Sequence, residues 1–206
     1  MIIFAVTFLC AFLGVLPPGL VNMTVIKTFF ERGRNSALLV GFGACVIVFF
    51  QALVGIHLSR LIAKHQWMYS AMFQVGLVLF LILAIYFFIQ AKKRASQKTI
   101  KISKHGFWQN FLKGALLSLL NVLPIPFFCA LAVTLHIRMG LEYNYQVHFN
   151  YALAASLGSF LMLCSYIFFF SFLKISQEQF ARRSNYLMAM LMLFLSLFTL
   201  TRIVVG

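Results

Sequence analysis

The sequence predicts an all-α polytopic membrane protein, with six transmembrane helices arranged as two inverted-topology three-helix repeats. Three observations predict it. Of the 206 residues, 63% are hydrophobic and only 10% are charged, and no Asp occurs. The charged residues leave six long apolar intervals untouched. The four prolines fall in two pairs, at matched places in the first and fourth intervals.

A water-soluble domain covers its surface with roughly 25% charged residues, so the composition excludes a soluble globule. A hydrocarbon core of about 30 Å takes about 20 apolar residues per helix, and six helices use about 120. The length therefore fits one small membrane domain with short loops. Residues 1–26, 35–59, 65–91, 114–137, 143–173 and 184–201 contain no Asp, Glu, Lys or Arg. All are rich in Leu, Phe, Ile and Met, and none alternates with the period of two that a barrel strand needs. Each is expected to be one helix. The first interval lacks a basic n-region and a small-x-small cleavage site, so it reads as a retained span and not as a signal peptide. Thr7-Phe8-Leu9-Cys10 is a poor lipoprotein box because Leu9 is bulky.

The net charge of +14 is a topology signal. Lys27, Arg32 and Arg34 lie in the first loop, and Lys92, Lys93, Arg94, Lys98, Lys101, Lys104 and Lys113 in the third. Lys174, Arg182 and Arg183 lie in the fifth, so odd loops hold 13 of the 17 basic residues. Basic residues stay cytoplasmic. Odd loops are thus expected inside and both termini outside, in a bacterial inner (plasma) membrane. The lipid bilayer accounts for this charge, and no nucleic-acid partner is expected.

The chain also repeats itself. Leu13-Gly14-Val15-Leu16-Pro17-Pro18-Gly19 aligns with Leu120-Asn121-Val122-Leu123-Pro124-Ile125-Pro126, with four of seven positions identical. Ala37-Leu38 and Gly43 match Ala152-Leu153 and Gly158 at one constant offset. Residues 1–91 form the first three-helix repeat, 92–113 a basic cytoplasmic linker and 114–206 the second repeat. Three helices per half send the second copy through the membrane in the opposite sense. In many secondary transporters, interrupted helices at corresponding places in such halves build the substrate site. A proline removes a backbone N–H and displaces the carbonyl four residues earlier, while glycine permits a turn or a close approach. Groups freed in this way cannot face lipid. One such break is an ordinary packing kink, but two at matched positions favour a site lined by Pro17, Pro18, Gly19, Asn22, Asn121, Pro124 and Pro126. Asn22 and Asn121 bind either freed backbone or a ligand, or else join helices. Thr24, Ser118 and Thr134 are further polar groups near the breaks. Gln51, His57 and Gln74 lie within other spans, and His57, one turn before Arg60, reads as interfacial.

Other classes lose ground on composition. Glu31, Glu142 and Glu178 all fall in predicted loops, so no carboxylate is left for a buried divalent-cation site or a proton relay. Coupling is left to His57, a loop Glu, the substrate's own charge or the membrane potential, or is absent. No nucleophile–base pair or metal-ligand cluster is present, so no enzyme, metal or cofactor is expected. The cysteines, Cys10, Cys45, Cys129 and Cys164, lie within spans without CxxC spacing and read as packing residues. A membrane thiol–disulfide electron carrier using Cys10 and Cys129 is one rival reading, and a non-transporting scaffold the other. Small residues recur every fourth position at Ala37, Gly41 and Cys45, at Ala154 and Gly158, and at Ala155 and Ser159. Such faces either join the two halves or form a homodimer. Trp67, Tyr69, Tyr143, Tyr145 and Tyr151 read as interface anchors.

The order of motifs resembles the lysine exporter (LysE/RhtB) family of amino-acid exporters. Pro17-Pro18-Gly19 is followed by Arg32-Gly33-Arg34 and then Gly41 and Gly43, and Phe111-x-x-Gly114 is followed by Asn121. The resemblance covers essentially the whole chain. It implies export of an amino acid or similar small-molecule substrate without ATP hydrolysis. Two departures fall at the presumed site: Leu20 stands where the family's Pro-Gly-Pro has its second proline, and Val122 and Leu123 split the family's Asn-Pro pair.

Overall fold

The computed structural model describes residues 1–16, 19–64, 66–92, 106–172 and 177–205, which leaves Pro17 and Pro18 outside the described residues. These are all-helical, with no strand among them. The helices are α1 (Ile2–Gly14), α2 (Leu20–Arg32), α3 (Arg34–Lys64), α4 (Gln66–Lys92), α5 (Phe107–Leu120), α6 (Pro124–Met139), α7 (Tyr145–Phe172) and α8 (Gln177–Val205). The first and fourth apolar intervals each hold two helices, and the other four hold one. Among the described residues, α3 over Arg34–Ala63 and α7 over Tyr145–Phe170 are each long and apolar enough to cross a membrane. The pair α5 and α6, bent by 65°, makes a third span if taken together. Shorter apolar stretches run over Ile2–Gly14, Phe80–Ile89 and Asn185–Thr201.

The chain forms two compact units, each drawing on both sequence halves. One is Ile62–Ile100 with Ile175–Gly206, in which α4 packs along α8. Buried Ala84, Ala91 and Ala189 let these helices approach, and Phe88 meets Tyr186 edge to face at 6.3 Å. Lys92 Nζ stands 4.5 Å over the Phe88 ring. The side chains of Trp67 and Tyr69 lie outside the described residues.

The other unit is Met1–Leu61 with Lys101–Lys174. Its two long helices, α3 and α7, run through both buried clusters. One cluster joins Ala11, Val48, Ala52, Ile56, Phe128 and Ala155. The second joins Val25, Val40, Cys45, Leu163 and Ile167. Around these pillars the broken pairs are exchanged: α1 and α2 pack on α7, while α5 and α6 approach α3. Arg32 Nη1 donates to Asn110 Oδ1 at 3.3 Å, so the end of α2 meets the start of α5. At the opposite end, Met1, Ile2 and Ile3 share a hollow with Met139 at the end of α6. Outward positions such as Phe50, Leu119 and Phe168 are exposed, the arrangement lipid favours over water.

The small-residue faces work inside the chain. Ala37, Cys45, Ala154, Ala155 and Ser159 are buried, and Ser156 Oγ donates to Cys45 O at 2.9 Å. A Cβ on Gly43 would strike Phe111 O, and one on Gly158 would strike Phe8 O. These two glycines are the pair matched in the sequence, Gly43 lying against α5 and Gly158 against α1. Tyr151 departs from its expected role as an interface anchor. It is 1% exposed and donates from Oη to Phe128 O at 2.6 Å, because α7 turns it towards α6. Tyr145, by contrast, is exposed.

Gly43→Ala and Gly158→Ala are expected to destabilise the protein by about 1–3 kcal/mol each, the usual effect of overpacking against a backbone that has no room to move. Gly106→Ala, where nothing lies within 4 Å of the added carbon, should leave the thermal midpoint in detergent unchanged. Equal midpoints for all three variants would refute the close packing.

Candidate functional site

Each broken span leaves carbonyl groups that no helix uses, and each is capped from across the unit. At the first break the backbone turns after Gly14, with Val15 N–H bonded to Ala11 O at 3.2 Å and Leu16 N–H to Leu13 O at 3.1 Å. Leu16 precedes a proline, which disfavours continuation of the helix. The freed Val15 O accepts from Asn22 Nδ2 at 2.7 Å. The neighbouring Leu16 O accepts from Tyr166 Oη on α7. Asn22 is also hydrogen-bonded to Tyr166. Gly19 stands at the N-cap of α2 in an extended conformation, with open space where a Cβ would be.

At the second break Asn121 leaves the helix with φ −86° and ψ 93°. Gln51 on α3 donates from Nε2 to both Ser118 O at 3.0 Å and Asn121 O at 2.8 Å. Pro124 and Pro126 do not kink a continuous helix. They open α6, whose first positions have no intrahelical use for an N–H. Ile125 N–H closes the turn onto Val122 O at 3.2 Å.

The two carbonyls at Gln51 also fix its amide orientation. Carbonyl oxygens only accept, so the nitrogen must face them and Oε1 must face away. Gln51 is 5% exposed, and its Oε1 is buried without a hydrogen-bond partner. An orphaned buried acceptor of this kind costs about 1–3 kcal/mol until a donor reaches it.

The two breaks adjoin. Gly14 faces the Phe127 ring, which would lie 2.9 Å from an added Cβ. Asn22 lies at the first break and Asn121, Pro124 and Pro126 at the second, with Gly19 at the N-cap of α2 and Pro17 and Pro18 outside the described residues. The groups that cap the breaks, Asn22, Gln51 and Tyr166, are all neutral. Thr24 and Thr134 instead bond to carbonyls of their own helices, at 2.8 and 2.9 Å. All four cysteines are free thiols, and no group of three metal-ligating side chains is found among the described residues.

Tyr166 and Phe127 escaped the sequence reading, and Gln51 was noted only as an intramembrane polar group. The signal was present nonetheless: the constant offset that pairs Gly43 with Gly158 also pairs Gln51 with Tyr166. Residues matched by that offset therefore cap the two breaks.

A family model described as LysE type translocator matches residues 12–202. No curated protein and no solved structure matches the chain.

Gln51→Leu strips the caps from Ser118 O and Asn121 O, and Tyr166→Phe strips the cap from Leu16 O. Each substitution is expected to lower stability by about 1–3 kcal/mol, the penalty for an unsatisfied buried polar group. Thermal unfolding in detergent checks this, and unchanged midpoints would show that the caps are dispensable.

Proposed function

Because the chain belongs to the LysE type translocator family, and is thus a small-molecule translocator of a membrane, we propose that it is a secondary transporter exporting an amino acid or related small metabolite by alternating access. The membrane is the bacterial inner membrane, with odd loops inside and both termini outside. The six apolar intervals form six spans in two inverted repeats. One observation carries the reading: two helix breaks, placed alike in the two repeats, are capped by Gln51 and Tyr166, which are themselves equivalent by repeat. The exchanged packing of Gly43 and Gly158 supports the same symmetry.

The site is bounded by Pro17, Pro18, Gly19 and Asn22 at one break and by Asn121, Pro124 and Pro126 at the other. A solute is held there by dipoles instead of countercharges. Gln51 Oε1, fixed and unpartnered, accepts an N–H from the solute, which suits the amino group of an amino acid. The repeats then rock about this region and open it to one side at a time. With the small-residue faces already used inside the chain, any homodimer is formed through lipid-facing side chains.

Changing Pro18-Gly19 and Pro124 together to Ala should alter the backbone at both breaks and abolish efflux of a 14C-labelled amino-acid mixture from loaded vesicles, with membrane insertion intact. Undiminished efflux would refute the site. The orientation is tested separately: a reporter active only in the cytoplasm should be silent when fused after Gly206, and activity there would reverse the topology.

A further inference from the structure

Where the end of α2 meets the start of α5, three cations gather around one carboxylate. Lys27 Nζ and Glu31 Oε1, one turn apart on α2, lie 3.7 Å from each other. Arg32 closes the helix, and its Nη1 donates to Oδ1 of Asn110, a residue only 2% exposed. Lys113, half-buried and three residues further along α5, stands within electrostatic reach of Arg32, Glu31 and Lys27. Among the described residues, no carboxylate is bonded to Arg32 or Lys113, and Arg32 Nε is buried without an acceptor. Lys27 has Glu31; the other two cations are uncompensated.

A topology signal does not account for this arrangement. Keeping a loop in the cytoplasm needs only positive charge, and freely moving side chains supply it. Here a buried amide oxygen accepts from the guanidinium and holds it in place. A guanidinium presents N–H groups that match two phosphate oxygens, and an ammonium beside it adds a second, compact charge. Like charges held together repel, the more so as water is removed. An anion placed among them relieves that repulsion and is drawn by every cation at once.

The same helix faces turn apolar towards the membrane interior. Leu20 stands seven residues before Lys27, and Leu120 seven after Lys113, a spacing that returns each to the face of its lysine. Leu20 is 69% exposed, Leu120 78%, and Leu116, one turn from Lys113, 57%. Seven residues of helix cover about 10 Å, which lies within the roughly 15 Å of hydrocarbon in one leaflet. Thus α2 and α5, which pack on each other, each carry a cation at one end of a face and an open leucine at the other.

We propose that this face of α2 and α5 holds one anionic phospholipid, its headgroup phosphate on Arg32 and Lys113 and an acyl chain along Leu116 and Leu120. Charge and apolar surface together select that occupant. A soluble anion matches the cations and leaves the leucines unused. A zwitterionic lipid brings its own ammonium to a place already rich in cations. A phosphatidylglycerol headgroup, with one uncompensated negative charge, satisfies both ends. In the orientation proposed above this end is cytoplasmic, the side on which basic groups near the membrane surface meet anionic lipid. The lipid adds a second link between α2 and α5 beside the bond from Arg32 to Asn110. Nothing in this inference depends on what the chain transports.

The chain has two tryptophans, so Trp67→Phe, Trp108→Phe and Leu116→Trp together leave a single indole, placed on the proposed face. The full chain carrying these changes is reconstituted in phosphatidylcholine vesicles containing a share of phosphatidylglycerol, with one lipid or the other brominated. Quenching of the indole by each gives their relative association at that face. Phosphatidylglycerol should be favoured about fivefold or more, and Lys113→Gln should lower the preference about fivefold, the weight of one cation at a membrane surface. Lys113→Gln removes no hydrogen bond among the described residues, so the fold should survive it. Arg138→Gln, the same loss of charge at the exposed end of α6, should leave the preference unchanged. Equal quenching by the two lipids, or a preference that persists in Lys113→Gln, would overturn the site. Relief of quenching by added inorganic phosphate would show a site for a free anion and overturn the lipid as its occupant.

Discussion

Everything in the larger unit follows from one constraint: a peptide carbonyl that leaves its helix inside an apolar protein must find another donor. In water such a group is solvated at once, and in hydrocarbon it stays unsatisfied at a cost of several kcal/mol. This chain interrupts two helices and answers the constraint with three neutral side chains. Asn22 serves Val15 O from the following helix, Tyr166 serves Leu16 O, and Gln51 serves Ser118 O and Asn121 O together. The prolines at Pro17, Pro18, Pro124 and Pro126 forbid a continuous helix through either stretch, so without those donors the freed carbonyls would stay unsatisfied.

The origin of the caps matters as much as their presence. Tyr166 lies late in the sequence and caps an early break; Gln51 lies early and caps a late one. Gly43 and Gly158 follow the same exchange, because each lets a long helix lie against a shorter one from the other end of the sequence, α5 and α1 respectively. Neither broken span is therefore complete within its own half. In the proposed cycle, rocking one half against the other strains the very bonds that define the site. Each such bond contributes only about 0.5–1.5 kcal/mol net, which is small enough to be exchanged for a bond to a solute or to water. The breaks are thus stable when closed and still open to substitution, as a gate requires.

Much of this was legible in the residues, and what was not has physical reasons. The apolar intervals stood out because lipid excludes charge, and both breaks stood out because proline is rare in this chain. Pro124 and Pro126 begin a helix, a place where a missing N–H has no consequence, so the interruption sits before them at Asn121. Tyr166 was hidden among Ser165, Ile167, Phe168, Phe169 and Phe170, where an aromatic ring looks like lipid-facing bulk and only its hydroxyl distinguishes it. Tyr151 misled for the opposite reason. Tyrosine at a span end usually sits at the headgroups, yet its hydroxyl found Phe128 O instead.

The neutrality of the site sets what kind of transporter it can serve. A solute carrying an ammonium and a carboxylate surrenders strong hydration on entry and meets only amide, phenol and peptide dipoles in return. In the proposed site each neutral hydrogen bond would offset only a small part of that loss. Weak binding would defeat an importer that scavenges from a dilute medium. An exporter draws on a solute that has accumulated inside, where occupancy is high even at low affinity, and it benefits because a loosely held solute leaves quickly on the far side. A buried carboxylate would tighten the amino group at the expense of that release. On the proposed export reading, the complete lack of Asp and the placement of every Glu outside the apolar intervals would leave the solute loosely held.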